Sequence, residues 1–161
     1  MGQVLVRPEQ RQERALPHRA QEVAVAERRV VRGLGGTGVA AIWEGLEPGP
    51  TVLLRAELDA LPLDEGTSVP HRSTRPGAHH ACGHDGHMAV LVGVADHLAT
   101  SRPRRGRAVL LFQPAEETGH GAVGMIEAGA LDPGPIRAVL ALHGSPEYAT
   151  DTVACRAGTV S

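Results

Sequence analysis

Short apolar segments that alternate with helical ones constrain the fold of this chain more than any other feature. Three apolar runs of strand length lie at residues 51–56, 108–112 and 136–142. After the first run, apolar side chains recur at the i, i+3, i+4, i+7 and i+10 spacing of one buried helix face: Met88, Leu91, Val92, Ala95 and Leu98. This succession predicts an α/β domain whose sheet is mostly parallel and flanked by helices. The run at 108–112 is apolar throughout, which predicts a central strand.

Local signals predict the remaining elements. They are a helix at 18–31, a strand at 39–43, a turn at 47–50, a polar loop at 61–81, and a short helix at 121–128 with Gly129 at its C-cap. A loop as long as the one at 61–81 is usually functional or disordered when it lies inside a compact domain. Residues 1–17, rich in Arg, Gln and Glu, are not expected to form regular structure.

The composition indicates a globular protein and argues against several classes of function. The net charge is −2 and the 16 basic side chains, all arginine, are dispersed, so no nucleic-acid partner is expected. No apolar run approaches the roughly 20 residues of a membrane span. Two cysteines are too few to suggest a disulfide framework, and no secretory signal is recognisable, so we expect a cytoplasmic protein.

Residues that could bind or position a metal follow each of the three apolar runs. They are Glu57 and Asp59 after the first run, Glu116 and Glu117 after the second, and His143 after the third. A further group, Cys82-Gly83-His84-Asp85-Gly86-His87, stands at the start of the long helix. Because ligands gather at the carboxyl ends of the strands in open α/β sheets, we expect these segments to form one site.

The types of side chain in this group indicate the kind of metal. Cysteine, histidine and carboxylate together suit zinc, manganese or cobalt, whereas magnesium and calcium prefer oxygen ligands alone. Cys82 and His84 are two residues apart, so both can face one ion, and a nearby helix N-terminus is expected to favour the Cys82 thiolate. Of the adjacent Glu116 and Glu117, one could bind metal while the other holds a water as general base.

Each of these residues also has a simpler interpretation when taken alone. A single histidine at a strand end, such as His143, is more often a surface residue, and Cys82 alone is most simply a small buried apolar residue. Cys82 with a nearby histidine could also form a thiol enzyme, but the carboxylate pair would then have no role. His71, His79 and His97 have no partners in the pattern and are interpreted as structural.

Two other motifs are excluded by their context. Residues 33–38 match G-x-G-x-x-G but lead into a predicted strand, whereas a dinucleotide site needs the glycines to open a helix. We therefore interpret them as a turn. Neither G-x-S-x-G nor a P-loop sequence occurs, which argues against the commonest serine hydrolases and nucleotide hydrolases.

Several sequence strings, in this order, resemble the motif series of the aminoacylase-type metallopeptidases. They are Leu-Arg-Ala-Glu-Leu-Asp-Ala-Leu-Pro at 54–62, His-Ala-Cys-Gly-His-Asp-Gly-His at 80–87, Phe-Gln-Pro-Ala-Glu-Glu at 112–117 and Leu-His-Gly at 142–144. The most similar branch contains N-acyl-amino-acid amidohydrolases, hippurate hydrolases and auxin-conjugate hydrolases. One departure is Glu57, which stands where aspartate is usual.

The resemblance implies a zinc-peptidase-like catalytic domain with two divalent metal ions. Carried over by position, the metal ligands would be Cys82, His84, Glu117 and His143. Glu116 would be the general base, and Asp59 would lie beside the site without binding metal directly. The implied reaction is hydrolysis of the amide bond of an N-acyl amino acid, or a related conjugate, by a metal-activated water.

The resemblance also implies how the chain is organised. It covers residues 33–161, which would form the N-terminal part of the catalytic domain, while residues 1–32 match poorly. Family members carry an inserted lid domain, through which full-length relatives would form homo-oligomers, and a later histidine ligand. We expect both to be absent from these residues. The alternative function is therefore an inactive remnant that binds metal or a partner without hydrolysis.

Overall fold

The structure is a computed structural model that describes residues 4–5 and 28–155. The chain divides into two compact units, residues 1–17 with 145–161 and residues 18–144. In the first unit, strands β1 (Val4–Leu5) and β7 (Thr152–Val153) pair antiparallel. Residues 4 and 5 therefore have regular structure, although none was expected for residues 1–17. No helix in the described residues is long and apolar enough to cross a membrane.

Within residues 28–144, the second unit is a five-stranded sheet with two helices. In chain order its elements are β2 (Arg28–Leu34), β3 (Gly38–Glu44), β4 (Glu47–Glu57), α1 (His84–Thr100), β5 (Arg105–Gln113), α2 (Gly121–Glu127) and β6 (Ile136–Ala141). The strand order across the sheet is β2-β3-β5-β4-β6, with β5 at the centre as predicted.

The sheet is mixed because one strand runs against its neighbours. β4 pairs parallel with both β5 and β6, whereas β3 pairs antiparallel with both β2 and β5. The parallel strands are joined through the helices, while a three-residue turn at 35–37 joins β2 to β3 as a hairpin. The α/β class is confirmed, and the G-x-G-x-x-G string at 33–38 lies at this turn.

The two helices pack on opposite faces of the sheet. Along β5, Val109 and Leu111 belong to the buried cluster that contains Met125 of α2. Leu110, which points to the other face because side chains alternate along a strand, belongs to the cluster that contains Leu91 of α1. The first cluster consists of aliphatic side chains and Met125, whereas the second adds Trp43 and Phe112, two of the three aromatic residues of the chain.

The predicted buried face of the long helix was partly wrong. Leu91 is buried, and Ala95 and Leu98 pack against the same cluster, but Val92 is 52% exposed. Val94 packs against the cluster in its place. The true stripe follows the i, i+3, i+4, i+7 pattern from Leu91, which turns Val92 away from the sheet.

Two other predicted elements were also wrong. Residues 47–50 form the first part of β4 instead of a turn, and a register shift separates Glu47 from Thr51. Prolines are tolerated there because an irregular pairing does not require every main-chain N–H. Residues 28–31 of the predicted helix at 18–31 belong to β2, because they pair with β3; residues 18–27 lie outside the described residues. The short helix is confirmed as α2, with Gly129 in the left-handed conformation just beyond it.

Candidate metal centre

The carboxyl ends of three neighbouring strands bring the predicted site residues together. β4 ends at Glu57, two residues before Asp59, β5 leads into the Glu116-Glu117 pair, and β6 ends just before His143. Because these strands are parallel and adjacent, their carboxyl ends lie at one edge of the sheet.

The start of α1 adds Cys82 and His84 to this edge. Gly83, between them, has φ 82°, a left-handed conformation that glycine adopts without strain. The ligand atoms of Cys82, His84 and His143 lie within 4.8 Å of one another. Those of His84, Glu116 and Glu117 also lie within 4.8 Å of one another, as do those of Glu57, His84 and His87, so His84 is common to all three clusters.

His84 carries the clearest mark of a cation site. The ring is 1% exposed, and its Nδ1 lies 2.8 Å from the main-chain oxygen of Asp59, to which it donates. In the neutral ring Nε2 is then an acceptor, and this buried atom has no hydrogen-bond partner among the described residues. It lies 3.7 Å from a carboxylate oxygen of Glu116 and 3.8 Å from one of Glu117.

These distances fit ligands that share an ion. Zinc bonds of about 2.0–2.2 Å place two tetrahedral ligand atoms roughly 3.4 Å apart. Without a cation, a lone pair would face two carboxylates, and leaving such a buried acceptor unpaired costs about 1–3 kcal/mol. Oδ1 of Asp59 is a second buried acceptor without a partner in the described part of the chain. The residues present therefore fit a divalent metal.

His143 is prepared in the same way as His84. Its Nδ1 lies 2.7 Å from the main-chain oxygen of Gly144, to which it donates, so Nε2 is the acceptor and pairs with the Cys82 thiol. That Nε2 lies 3.4 Å from Sγ of Cys82, a separation that also fits two ligands of one ion.

Asp59 connects two of the predicted ligands. Its carboxylate accepts a hydrogen bond of 3.0 Å from the main-chain N–H of Glu117, and its main-chain oxygen accepts the bond from His84. Burial tends to raise the pKa of Asp59, but hydrogen bonds from the N–H groups of Glu117 and Glu116 outweigh it and hold that pKa below its usual value. Asp59 therefore stays ionised while it orients His84.

The loop that carries Glu116 and Glu117 is held by its backbone. Ala115 has φ 53°, an uncommon conformation for a residue other than glycine. The N–H of Gly121 donates to the oxygen of Ala115 at 3.0 Å, which closes the loop onto the start of α2. A Cβ atom at Gly121 would collide with the main-chain oxygen of Pro114, so this position requires glycine.

The helix N-terminus was expected to favour the Cys82 thiolate, but the groups around Cys82 act in the opposite direction. Burial and the negative charges of Glu117 and Glu116 raise the pKa of the Cys82 thiol above its ordinary value. A helix N-terminus lowers the pKa of a nearby thiol by less than two carboxylates at close range raise it. This arrangement disfavours a free thiolate nucleophile, and so it weakens the thiol-enzyme interpretation.

Sequence reasoning gave no role to His87, which the structure places at the centre of the site. Its Nδ1 lies 2.9 Å from a carboxylate oxygen of Glu57, and its Nε2 accepts a hydrogen bond of 2.8 Å from the N–H of Gly144. The sequence feature that could have indicated a role for His87 is its i+3 spacing from His84, which puts both rings on one side of α1. Both nitrogens of His87 are occupied, so in this arrangement it is not a ligand.

Glu57 is held between two donors. Besides the bond to His87, it forms an ion pair with Arg55 at 2.5 Å, and Arg55 donates to Gln113 at 2.9 Å. Burial tends to raise the pKa of Glu57, but the hydrogen bond from His87 and the charge of Arg55 hold it below its usual value.

His71, His79 and His97 belong to none of the three metal-compatible clusters of the described residues. His79 lies 3.8 Å from Glu65 in the long loop.

Known proteins are similar to most of this chain. Residues 53–161 match the peptidase family M20/M25/M40. The N-acetyl-L-cysteine deacetylase of Bacillus subtilis (strain 168) is 47% identical over 123 residues, which cover 76% of this chain and 29% of that protein. The IAA-amino acid hydrolase ILR1-like 6 of Arabidopsis thaliana is 45% identical over 127 residues, which cover 78% of this chain and 26% of that protein.

A solved structure supports the same relationship. The Bacillus subtilis YXEP protein, described as a dinuclear metal-binding peptidase of the M20 family, superposes with a TM-score of 0.69 at 37% identity. The match covers 80% of this chain and 35% of that one, so the chain spans about a third of the length of its relatives. Motifs, fold and family match agree, and the chain belongs to peptidase family M20/M25/M40, a family of metal-dependent hydrolases.

Proposed function

We propose that this chain forms the metal-binding part of an amidohydrolase that cleaves the amide bond of N-acyl amino acids or related conjugates. One observation carries the proposal. The buried Nε2 of His84 has no hydrogen-bond partner among the described residues and faces the carboxylates of Glu116 and Glu117 at 3.7 and 3.8 Å. A buried ring nitrogen that faces two carboxylates at the carboxyl edge of a sheet is an environment that suits a divalent cation.

The proposed ligands are four side chains from the first two of the three clusters: Cys82, His84, Glu117 and His143. Their mixture of sulfur, nitrogen and oxygen suits zinc, manganese or cobalt. The dinuclear Bacillus subtilis relative supports two ions, of which the single available Nε2 of His84 would bind one. When bound, such ions supply a polarised substrate carbonyl and a more acidic water.

We assign the general base to Glu116. Its side chain is 39% exposed against 26% for Glu117, so it is the more accessible to an entering water or substrate. The carboxylate of Glu116 would accept a proton from the attacking water and then donate it to the nitrogen of the departing amine. Asp59 would orient His84 and Glu117 without entering the reaction.

The relatives support the class of substrate. One is named for deacetylation of N-acetyl-L-cysteine and another for hydrolysis of IAA-amino acids. Both names describe an amino acid whose nitrogen carries an acyl group. We therefore propose that this chain cleaves the amide bond between an acyl group and the nitrogen of an amino acid. The proposal does not specify the acyl group.

The test is hydrolysis of N-acetyl and hippuryl amino acids by the full chain loaded with zinc, manganese or cobalt. Glu116→Gln should reduce turnover by about 10²-fold or more while metal content stays the same, because the base is lost and the proposed ligands remain. Glu127→Gln, an exposed carboxylate at the end of α2, is the matched control and should be neutral.

Two results would overturn parts of this proposal. Turnover that survives in Glu116→Gln would remove the assignment of the base. Stoichiometric metal without any turnover by the unaltered chain would overturn the hydrolytic activity and favour a metal-binding remnant.

A further inference from the structure

We propose that His87 is a positioning residue that holds the ligand His143 at the metal centre through the main chain of Gly144. The inference rests on the proposed metal centre, because it concerns how one of its ligands is placed. His87 lies in α1, whereas His143 follows β6, so the two belong to elements that are far apart along the chain.

A hydrogen bond from the main chain links these elements at the site. The N–H of Gly144 donates to Nε2 of His87 at 2.8 Å, across 57 residues of sequence. His143, the next residue, sends its own Nδ1 to the oxygen of Gly144 at 2.7 Å. The N–H and C=O of one glycine are thus both used, one to fix the strand end and the other to orient the ligand ring.

The protonation of His87 is set by its other nitrogen. Nε2 can accept from Gly144 only if the proton of the neutral ring is on Nδ1. Nδ1 lies 2.9 Å from the ionised carboxylate of Glu57, which requires a donor. Glu57 also accepts from Arg55, so it can only be an acceptor. His87 therefore donates to Glu57 through Nδ1 and accepts from Gly144 through Nε2.

This connection is well suited to positioning because it is shielded from water. The side chain of His87 is 8% exposed and that of Glu57 is 3% exposed. The His87 and His143 rings also pack edge to face, with centroids 4.7 Å apart. The residues around His143 are largely exposed, so among the described residues His87 supplies the buried anchor for that segment.

Two substitutions of His87 each keep one of the two hydrogen-bonding positions of the imidazole. In His87→Asn the amide nitrogen can replace Nδ1 and donate to Glu57, but nothing reaches Gly144. In His87→Gln the amide oxygen can replace Nε2 and accept from Gly144. The control is His97→Asn, an exposed histidine on the same helix. Cobalt affinity of the full chain, measured by visible absorption in competition with a chelator, is the readout.

His87→Asn should weaken cobalt binding about 10- to 100-fold, the usual effect of removing a group that orients a ligand. His87→Gln should recover most of that loss, and His97→Asn should have no effect. Equal weakening in both His87 variants, or none in either, would overturn the inference. If the unaltered chain takes up no cobalt, the proposed metal centre itself fails.

Nitrogen NMR of the unaltered chain provides a test that needs no variant to fold. His87 should be in the Nδ1–H form, with a coupling across the hydrogen bond between the Gly144 amide and Nε2. A ring protonated on Nε2 would overturn the inference whatever the metal binding shows.

Discussion

Both histidines proposed as ligands have Nδ1 committed to a main-chain oxygen, at 2.8 Å for His84 and 2.7 Å for His143. The shared arrangement leaves Nε2 of each ring as the acceptor that faces the site. Spacing in the sequence identified these residues as candidates, but the nitrogen that each would use depends on carbonyl groups that only the folded chain brings near.

Cys82 offers a prediction at the residue scale because the chain has a second cysteine for comparison. Cys82→Ser should weaken cobalt binding by more than about 10-fold and remove the near-ultraviolet absorption of a cobalt–thiolate bond. Cys155→Ser, an exposed cysteine in the other unit of the chain, should leave both unchanged. An absorption band that follows Cys155 instead would remove Cys82 from the set of ligands.

The protonation of Cys82 shows why single residues are hard to interpret from sequence. A helix N-terminus was expected to favour its thiolate, but burial and the carboxylates of Glu117 and Glu116 raise its pKa. Those carboxylates are far from Cys82 along the chain. Their proximity follows from the pairing of β4 with β5 and not from any local motif.

At the scale of elements, the periodic segments were predicted well and the irregular ones were not. The helix α1 and the central strand β5 follow clear apolar patterns, and both are present. The beginning of β4 contains two prolines and a register shift, so its sequence is typical of a turn. The Arg-rich strand β2 forms because it pairs with β3, and tertiary pairing of this kind overrides local preference.

The start of α2 gives a prediction at this scale. Gly121→Ala should destabilise the fold by about 1–3 kcal/mol, because the new methyl group would collide with the main-chain oxygen of Pro114 in the loop before Glu116. Gly93→Ala in the exposed middle of α1, where a Cβ meets nothing within 4 Å, should stabilise it by about 0.5–1 kcal/mol.

Urea denaturation measures both changes under the same conditions. Opposite signs for the two alanine variants are expected. If Gly121→Ala were as stable as the unaltered chain, the loop before α2 would not be held by this close approach, and the rigid placement of Glu116 and Glu117 would be contradicted.

At the scale of the whole molecule, the order of the motifs carried most of the information about the site. The segments predicted to converge do lie at one edge of the sheet, because parallel strands place their carboxyl ends together. The link from His87 to Gly144 could not be predicted, since it joins the start of α1 to the end of β6 across 57 residues. Such a contact depends on the arrangement of the sheet as a whole.

Strand β6 forms an apolar and largely exposed edge of this unit. It is the last strand of the sheet, and Val139 and Leu140, on its two faces, are 60% and 54% exposed. Val123 and Ile126 of α2 are also more than half exposed.

The chain spans about a third of the length of its relatives, so hydrolysis by this chain stays a proposal, whereas the residues that fit a metal lie within the described part.

The most direct test of the metal centre is anomalous diffraction from crystals of the full chain grown with zinc or cobalt. We predict anomalous peaks within about 2.0–2.3 Å of the ligand atoms of Cys82, His84, Glu117 and His143. His87 should remain bonded to Gly144 and outside bonding distance of any peak. A fully loaded crystal whose peaks lie elsewhere, or whose His84 Nε2 stays without a metal, would contradict this assignment of the ligands.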